Sequence, residues 1–307
     1  MSVLVCQGVV CRPGGRQGLT GVSLAVDPGE IVGLVGPAGS GKSLLLQVLA
    51  GDLEPSGGVA AVNGGSPRSV RSRCVVGFVR SPPLIPPEVT AVEWLGYVAA
   101  HTALGPADRT RRVQWALEIA GMGPLATHRV AGYGESAVRR LALAAAAITG
   151  RDALLLDDPL AGADPVTDAA IRECIARLAQ EGRAVVLASN ALGSIERVAT
   201  RVVVLWNGSL AADVRMATLI RERVAELSLN GSGLRFAADL LDRYEGAYRT
   251  GDGVAIPLCG GLSIEAVLST CRACRIAVAG SRVRYRMLDD IFVVADKHAP
   301  TVGLGPR

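Results

Sequence analysis

Two short stretches of this chain hold residue types that can handle phosphate. Residues 36–43 read GPAGSGKS, a glycine, four residues, a second glycine, then Lys42 and Ser43. In such a loop Gly36, Pro37, Ala38, Gly39, Ser40 and Gly41 turn backbone N–H groups inward around an anion. A helix starting near Gly41 and continuing through Leu44 adds the positive end of its dipole. Lys42 then reaches the outer phosphates, and Ser43 ligates Mg²⁺. The bland alternative is a glycine-rich turn. The complete GxxxxGKS pattern, between apolar EIVGLV and apolar LLLQVLAG, favours the phosphate loop. The second stretch, LLLDDP at residues 154–159, is an apolar strand ending in two carboxylates. Asp157 is expected to contact the same metal through water, the alternative being a carboxylate that only caps the following turn. Asp158 stands where a water-activating base would be expected.

The elements around these stretches must bring them together. The chain has 307 residues, 50% of them hydrophobic, enough for one large domain and a small one. No segment approaches the roughly 18–20 uninterrupted apolar residues of a membrane span. The start, MSVLVCQGVVCRPGG, has neither a basic opening nor a long apolar run, so no signal peptide is expected and the cytoplasm is the expected compartment. A net charge of +4, thinly spread, does not argue for nucleic acid. Seven scattered cysteines do not form a disulfide framework. Cys271 and Cys274 make an isolated CxxC that reads as ordinary buried thiols.

In their order along the chain, GPAGSGKS, LLLDDP, LAGADP (residues 160–165, with Asp164) and RLALAAAA resemble the motifs of the nucleotide-binding subunit of ABC transporters. The resemblance covers about residues 1–215. It implies an α/β fold: a P-loop ABC ATPase domain with a RecA-like core, an antiparallel β subdomain and a helical subdomain over about residues 84–140. It also implies ATP and Mg²⁺ as cofactors, a transmembrane permease as partner, and a peripheral position on the cytoplasmic face of the membrane.

The other family motifs are altered together. The signature that caps the γ-phosphate held by the opposite subunit is normally Ser-Gly-Gly; here residues 133–137 are Tyr133, Gly134, Glu135, Ser136 and Ala137. Glu135 is either a carboxylate well placed at a helix N-terminus or a charge that repels a bound triphosphate. Ser81 replaces the γ-phosphate-sensing Gln, with a shorter reach to Mg²⁺. Asn190 replaces the switch histidine and cannot become cationic. Near Pro13 no ring is available to stack on adenine. Asp158 replaces the catalytic Glu and is one methylene shorter, and about 1 Å of misplacement can cost roughly 100-fold in rate. The resemblance therefore implies a subunit that binds nucleotide and turns it over slowly.

Residues 89–104 and 111–122 have apolar residues at helical spacing, with Trp94, Tyr97 and Trp115 expected in the subdomain core and Pro82, Pro83, Pro86 and Pro87 marking the loop before it. Residues 216–307 change character: strand, helix, strand, strand, helix, strand, with TGDG at 250–253 as a turn, predicts a small α+β ferredoxin-like domain. MLDDIFVVAD at 287–296 is then a closing helix. Its LDDIF is similar to the C-terminal element of drug- and antibiotic-exporting ABC ATPases of the daunorubicin-resistance type.

The expected function is thus an ATP-binding exporter subunit paired with a second, catalytically competent ABC ATPase, a heterodimer being favoured over a homodimer. A nucleotide-responsive scaffold or regulator that does no transport work is the alternative. A soluble ABC protein acting on ribosomes or DNA is disfavoured by the single ATPase unit and the mild charge.

Overall fold

The computed structural model describes residues 1–15, 18–102, 104–149, 151–230 and 233–298. The described chain divides into two compact units, Met1–Asp213 and Val214–Arg307.

In the first unit the elements run β1 (Leu4–Cys11), β2 (Leu19–Val26), β3 (Ile31–Val35), α1 (Lys42–Leu49), β4 (Gly57–Val62), α2 (Val70–Arg73) and β5 (Val76–Val79). They continue α3 (Ala91–Ala100), α4 (Pro106–Ile119), α5 (Glu135–Thr149), β6 (Ala153–Asp157), α6 (Pro165–Gln180), β7 (Ala184–Ala188), α7 (Leu192–Glu196), β8 (Arg201–Trp206) and β9 (Ser209–Arg215). Strands β3 and β7 are continuous aliphatic runs buried along their whole length, as expected for strands covered on both faces. They lie in a six-stranded sheet of order β5-β6-β7-β3-β8-β9, and β5 through β8 pair in parallel. Parallel pairing puts the C-terminal ends of β3, β6 and β7 on one edge, and both phosphate-handling stretches follow those ends. A separate antiparallel sheet, β2-β1-β4, packs its inner face on the same core as α1.

Helices α3, α4 and α5 enclose a second core of Leu95, Ala116, Met122, Leu141 and Ile148. Thr90 and Glu93 form a reciprocal cap that starts α3, and Pro106 opens α4 at a position where no N–H is needed. Helix α5 runs on as one helix to Thr149. Trp94 and Trp115 are half-buried against this core. Tyr97 is not a core residue: it is 60% exposed, stacked on Trp94 with ring centroids 5.7 Å apart. Its place one turn beyond Trp94 carries it out to solvent.

The second unit contains α8 (Met216–Leu219), β10 (Arg223–Leu229), α9 (Ala237–Arg243), β11 (Tyr248–Arg249), β12 (Gly253–Pro257), α10 (Ile264–Ala273), β13 (Val278–Tyr285) and α11 (Leu288–His298). Its four-stranded sheet has the order β11-β12-β10-β13, with every paired neighbour antiparallel. The LDDIF segment is anchored by Asp290, which is 4% exposed. Its carboxylate accepts from both terminal nitrogens of Arg284 (2.7 and 2.8 Å), from Met287 N–H (2.8 Å) and from the Tyr248 hydroxyl. Cys271 is buried in the core of this unit, whereas Cys274, just past the end of α10, is exposed, so the CxxC is not a pair of buried thiols.

Candidate nucleotide site

The loop between β3 and α1 is shaped by two glycines. A Cβ on Gly36 would lie 2.1 Å from the Leu205 carbonyl oxygen, too close for any side chain. Gly41, with φ of 106°, sits in the region that favours glycine and closes the turn into α1. Across this loop Lys42 Nζ donates to the carbonyls of Gly36 (2.7 Å) and Pro37 (2.9 Å). Burial lowers the Lys42 pKa, while Asp158 and Asp157 act to raise it. Ser40 is 3% exposed, and its Oγ has no hydrogen-bond partner among the described residues. An orphaned buried hydroxyl in this loop fits a polar ligand there.

Ser43 Oγ donates to Asp157 Oδ1 at 3.0 Å, which joins the start of α1 to the end of β6. Burial raises the Asp157 carboxyl pKa, with the Ser43 hydrogen bond opposing it. Among the described residues no group of three or more His, Cys, Asp and Glu could hold a metal ion. One hydroxyl and one carboxylate instead match a hard cation that takes its remaining ligands from phosphate and water.

Asp158 adopts the left-handed region, with φ of 49°, where Asp is among the better-tolerated residues. Hydrogen bonds at its N–H, its carboxylate and its carbonyl hold it, the carbonyl also accepting from Ala161 N–H at 3.3 Å. Its N–H donates to Ala188 O (2.8 Å), its Oδ1 accepts from Ser189 Oγ (3.0 Å), and its carbonyl accepts from Arg139 Nη1 (2.9 Å). Ser189 and Arg139 are the residues that sequence reading missed. Ser189 could have been found as the hydroxyl ending the AVVLA strand beside Asp158. Arg139 could have been found from its spacing of four after Glu135 on one helix face.

That spacing decides the state of Glu135. Its carboxylate forms an ion pair with Arg139 Nη2, so the added negative charge is matched within α5. Glu135 Oε2 also lies 3.6 Å from where a Gly162 Cβ would be, against the loop that follows Asp158. Asp164 caps α6, accepting from Val166 N–H (2.9 Å), Thr167 N–H (3.1 Å) and Thr167 Oγ1 (2.6 Å). The Thr167 hydrogen bonds hold its carboxyl below the usual carboxylate range.

Lys42, Ser43, Asp157 and Asp158 are therefore brought together at one sheet edge. Asn190 is exposed just past β7, and Ser81 is exposed in the loop after β5. Among the described residues no hydrogen bond joins either to that cluster. Pro13 is exposed in a short turn, Pro13–Gly15, after β1.

A family model described as ABC transporter matches residues 19–161. The energy-coupling factor transporter ATP-binding protein EcfA2 of Symbiobacterium thermophilum is 33% identical over 74% of this chain and 81% of its own length. Nod factor export ATP-binding protein I of Rhizobium leguminosarum bv. viciae is 31% identical over 71% of this chain and 70% of its own. The chain spans 58% of the length of a further relative, an uncharacterized ABC transporter ATP-binding protein of Synechocystis, at 28% identity over 66% of this chain. Among solved structures, the dimeric post-hydrolysis state of the ATP-binding cassette MJ0796 bound to ADP and Pi superposes with a TM-score of 0.62. That match covers 69% of this chain and 98% of the other at 22% identity, a likeness of fold. Together with the loop geometry, these matches show that the chain belongs to the ATP-binding proteins of ABC transporters.

Proposed function

We propose that this chain is the ATP-binding subunit of an ABC exporter that binds MgATP, cleaves it slowly, and works beside a catalytically competent ATPase subunit. Residues 36–44 wrap the phosphates, Lys42 supplies their positive partner, and Ser43 with Asp157 holds Mg²⁺, with Ser81 at the edge of that shell. The observation that carries the reading is the pairing of the Lys42-bridged loop with the 3.0 Å Ser43–Asp157 contact. It sets a cation and a hydroxyl–carboxylate pair side by side, as a metal-bound polyphosphate requires.

Slow turnover follows from what surrounds the base position. One oxygen of the short Asp158 carboxylate accepts a hydrogen bond from Ser189, which leaves a single oxygen for a base role. Asn190 offers only a neutral amide. Glu135, with its charge already matched by Arg139, gives the facing nucleotide neither the hydroxyl nor the backbone freedom of a Ser-Gly-Gly segment. Export is supported by the relative named for Nod factor export and by the α+β unit after residue 213. The strand order of that unit supports a ferredoxin-like domain. Among the described residues no helix is long and apolar enough to cross a membrane, which fits a peripheral subunit beneath a separate permease.

The test is steady-state ATPase activity of the complex with each base removed in turn. Asp158→Asn is expected to change the rate less than twofold, and loss of the partner's catalytic Glu to abolish it. Equal loss from both would make Asp158 a working base and overturn the slow-site reading. Asp158→Glu combined with Asn190→His is expected to raise hydrolysis at this chain's own phosphate loop.

A further inference from the structure

A cleft of about 930 Å³ opens in the first unit between α2, the ends of α3 and α5, and the face of α4. It lies where residues 74–75 lead into β5 and Arg151 precedes β6, at the N-terminal ends of those strands. The candidate nucleotide site lies at the opposite edge of the sheet. Arg71, Arg73, Arg111, Arg112 and Arg151 line the cleft, against a single carboxylate, Asp108.

Three of these arginines are committed to the fold. Arg73 donates to Gly51 O (3.0 Å) and Arg111 pairs with Asp108. Arg112 donates to Ala147 O (3.0 Å) and lies 3.9 Å over the Trp115 ring. Arg183 donates to the same Ala147 carbonyl (3.0 Å), so two cations already serve the C-terminal end of α5. Among the described residues the guanidinium groups of Arg71 and Arg151 have no hydrogen-bond or ion-pair partner. Burial lowers the Arg112 pKa and neighbouring Arg151 adds to the lowering, while Glu181 opposes both. Uncompensated like charges in one concavity favour an anion. The cleft also has an apolar side, formed by Val75, Leu104, Trp115 and Ile148. Its volume is in the range of sites that take drug-sized ligands.

We infer that this cleft is a binding site for an amphipathic organic anion, with a phosphate or carboxylate head held by Arg71 and Arg151 and an apolar body laid on Trp115 and Val75. Guanidinium forks suit either head group because both present paired oxygens.

The full chain supplies its own reporter, since Cys74 is an exposed free thiol on the cleft wall. Decyl phosphate, kept below its micelle concentration, is expected to slow alkylation of Cys74 by N-ethylmaleimide at least fivefold. Its affinity by calorimetry should fall as salt is raised. The Arg71→Gln/Arg151→Gln variant removes two groups with no structural partner, and it should bind decyl phosphate at least tenfold more weakly. MgATP affinity, measured on the same samples, should stay unchanged, which separates this site from the nucleotide site. Equal binding by the variant, equal protection by decanol, or equal affinity for inorganic phosphate alone would each overturn the proposal. Cosedimentation with phosphatidylglycerol vesicles but not phosphatidylcholine vesicles would identify a lipid headgroup as the source. Decyl phosphate binding without vesicle binding would identify a free soluble anion.

Discussion

Arg139 reaches across from α5 to donate a 2.9 Å hydrogen bond to the main-chain carbonyl of Asp158, while its other terminal nitrogen holds Glu135. One nearly buried guanidinium thus ties the start of α5 to the residue that follows β6. Its side chain is 8% exposed, whereas that of Glu135 is 69% exposed. Arg139→Ala should therefore cost about 2–3 kcal/mol, the range for hydrogen bonds to charged groups together with a stranded carbonyl. Glu135→Gln, at the exposed end of the pair, should cost about 1 kcal/mol or less. Denaturant titration of the two variants checks the order, and a larger loss from Glu135→Gln would refute it.

Lys42 bridges the phosphate loop through two main-chain carbonyls and is the cation of the site. In wild type, MgATP at 100 times its dissociation constant should add about 2.7 kcal/mol of stability. In Lys42→Ala that increment should vanish, because Lys42 is the cation that reaches across this loop. Thermal unfolding with and without MgATP reads the difference, and an equal shift in both proteins would remove residues 36–44 as the site.

Asp157 gives the site a pH dependence with a definite sign. Burial raises its carboxyl pKa, so a proton competes with the metal at higher pH than at an exposed carboxylate. Affinity for the Mg-nucleotide should drop as pH falls through that raised value, and Asp157→Asn should flatten the profile. In the metal-free protein the linkage is reversed: the folded state holds this proton more tightly than the unfolded chain, so Asp157's share of stability is lost as pH rises through the folded pKa. Calorimetry across the acid range, with Mg²⁺ and with EDTA, distinguishes the two.

Asp290 makes the opposite linkage in the second unit. Burial acts to raise its carboxyl pKa, but hydrogen bonds from Arg284, Tyr248 and Met287 outweigh it and hold the pKa below the usual range. Its contribution is present above the unfolded carboxylate pKa and is lost as pH falls through the lowered folded value. Asp290→Asn should destabilise this unit by about 2 kcal/mol near neutral pH. The deficit should shrink in acid, where wild type also loses the charge, and chemical unfolding followed at several pH values would show whether it does.

Much of this protein was legible along the chain because its signals are local. The GxxxxGKS loop needs only two glycines and a lysine at set spacing, and the near-continuous aliphatic runs of β3, β6 and β7 suit strands covered on both faces. The alternation of strands and helices after residue 216 also followed from pattern and turn chemistry. The end of α5 was less legible: an alanine-rich run supports helix with no stop signal before Thr149.

Tertiary structure alone decided the contacts made across sequence distance. Residues 157 and 43 are 114 positions apart, yet parallel pairing of strands puts them 3.0 Å from each other. Ser189 meets Asp158 only because β6 and β7 are neighbours in register, Asp157 opposite Ala188. Glu135 read as an added charge, and became half of an ion pair once α5 set Arg139 one turn away. Tyr97 had the spacing of a core residue and an exposed place, since helical periodicity marks a face without saying which neighbour covers it. The arginine-lined cleft gathers residues from 70 to 151, and no local pattern announces it. Local spacing determines which residues can share a turn or a face, whereas packing determines which turns and faces meet, and charges that are far apart in the chain have no reason to be read together until they do.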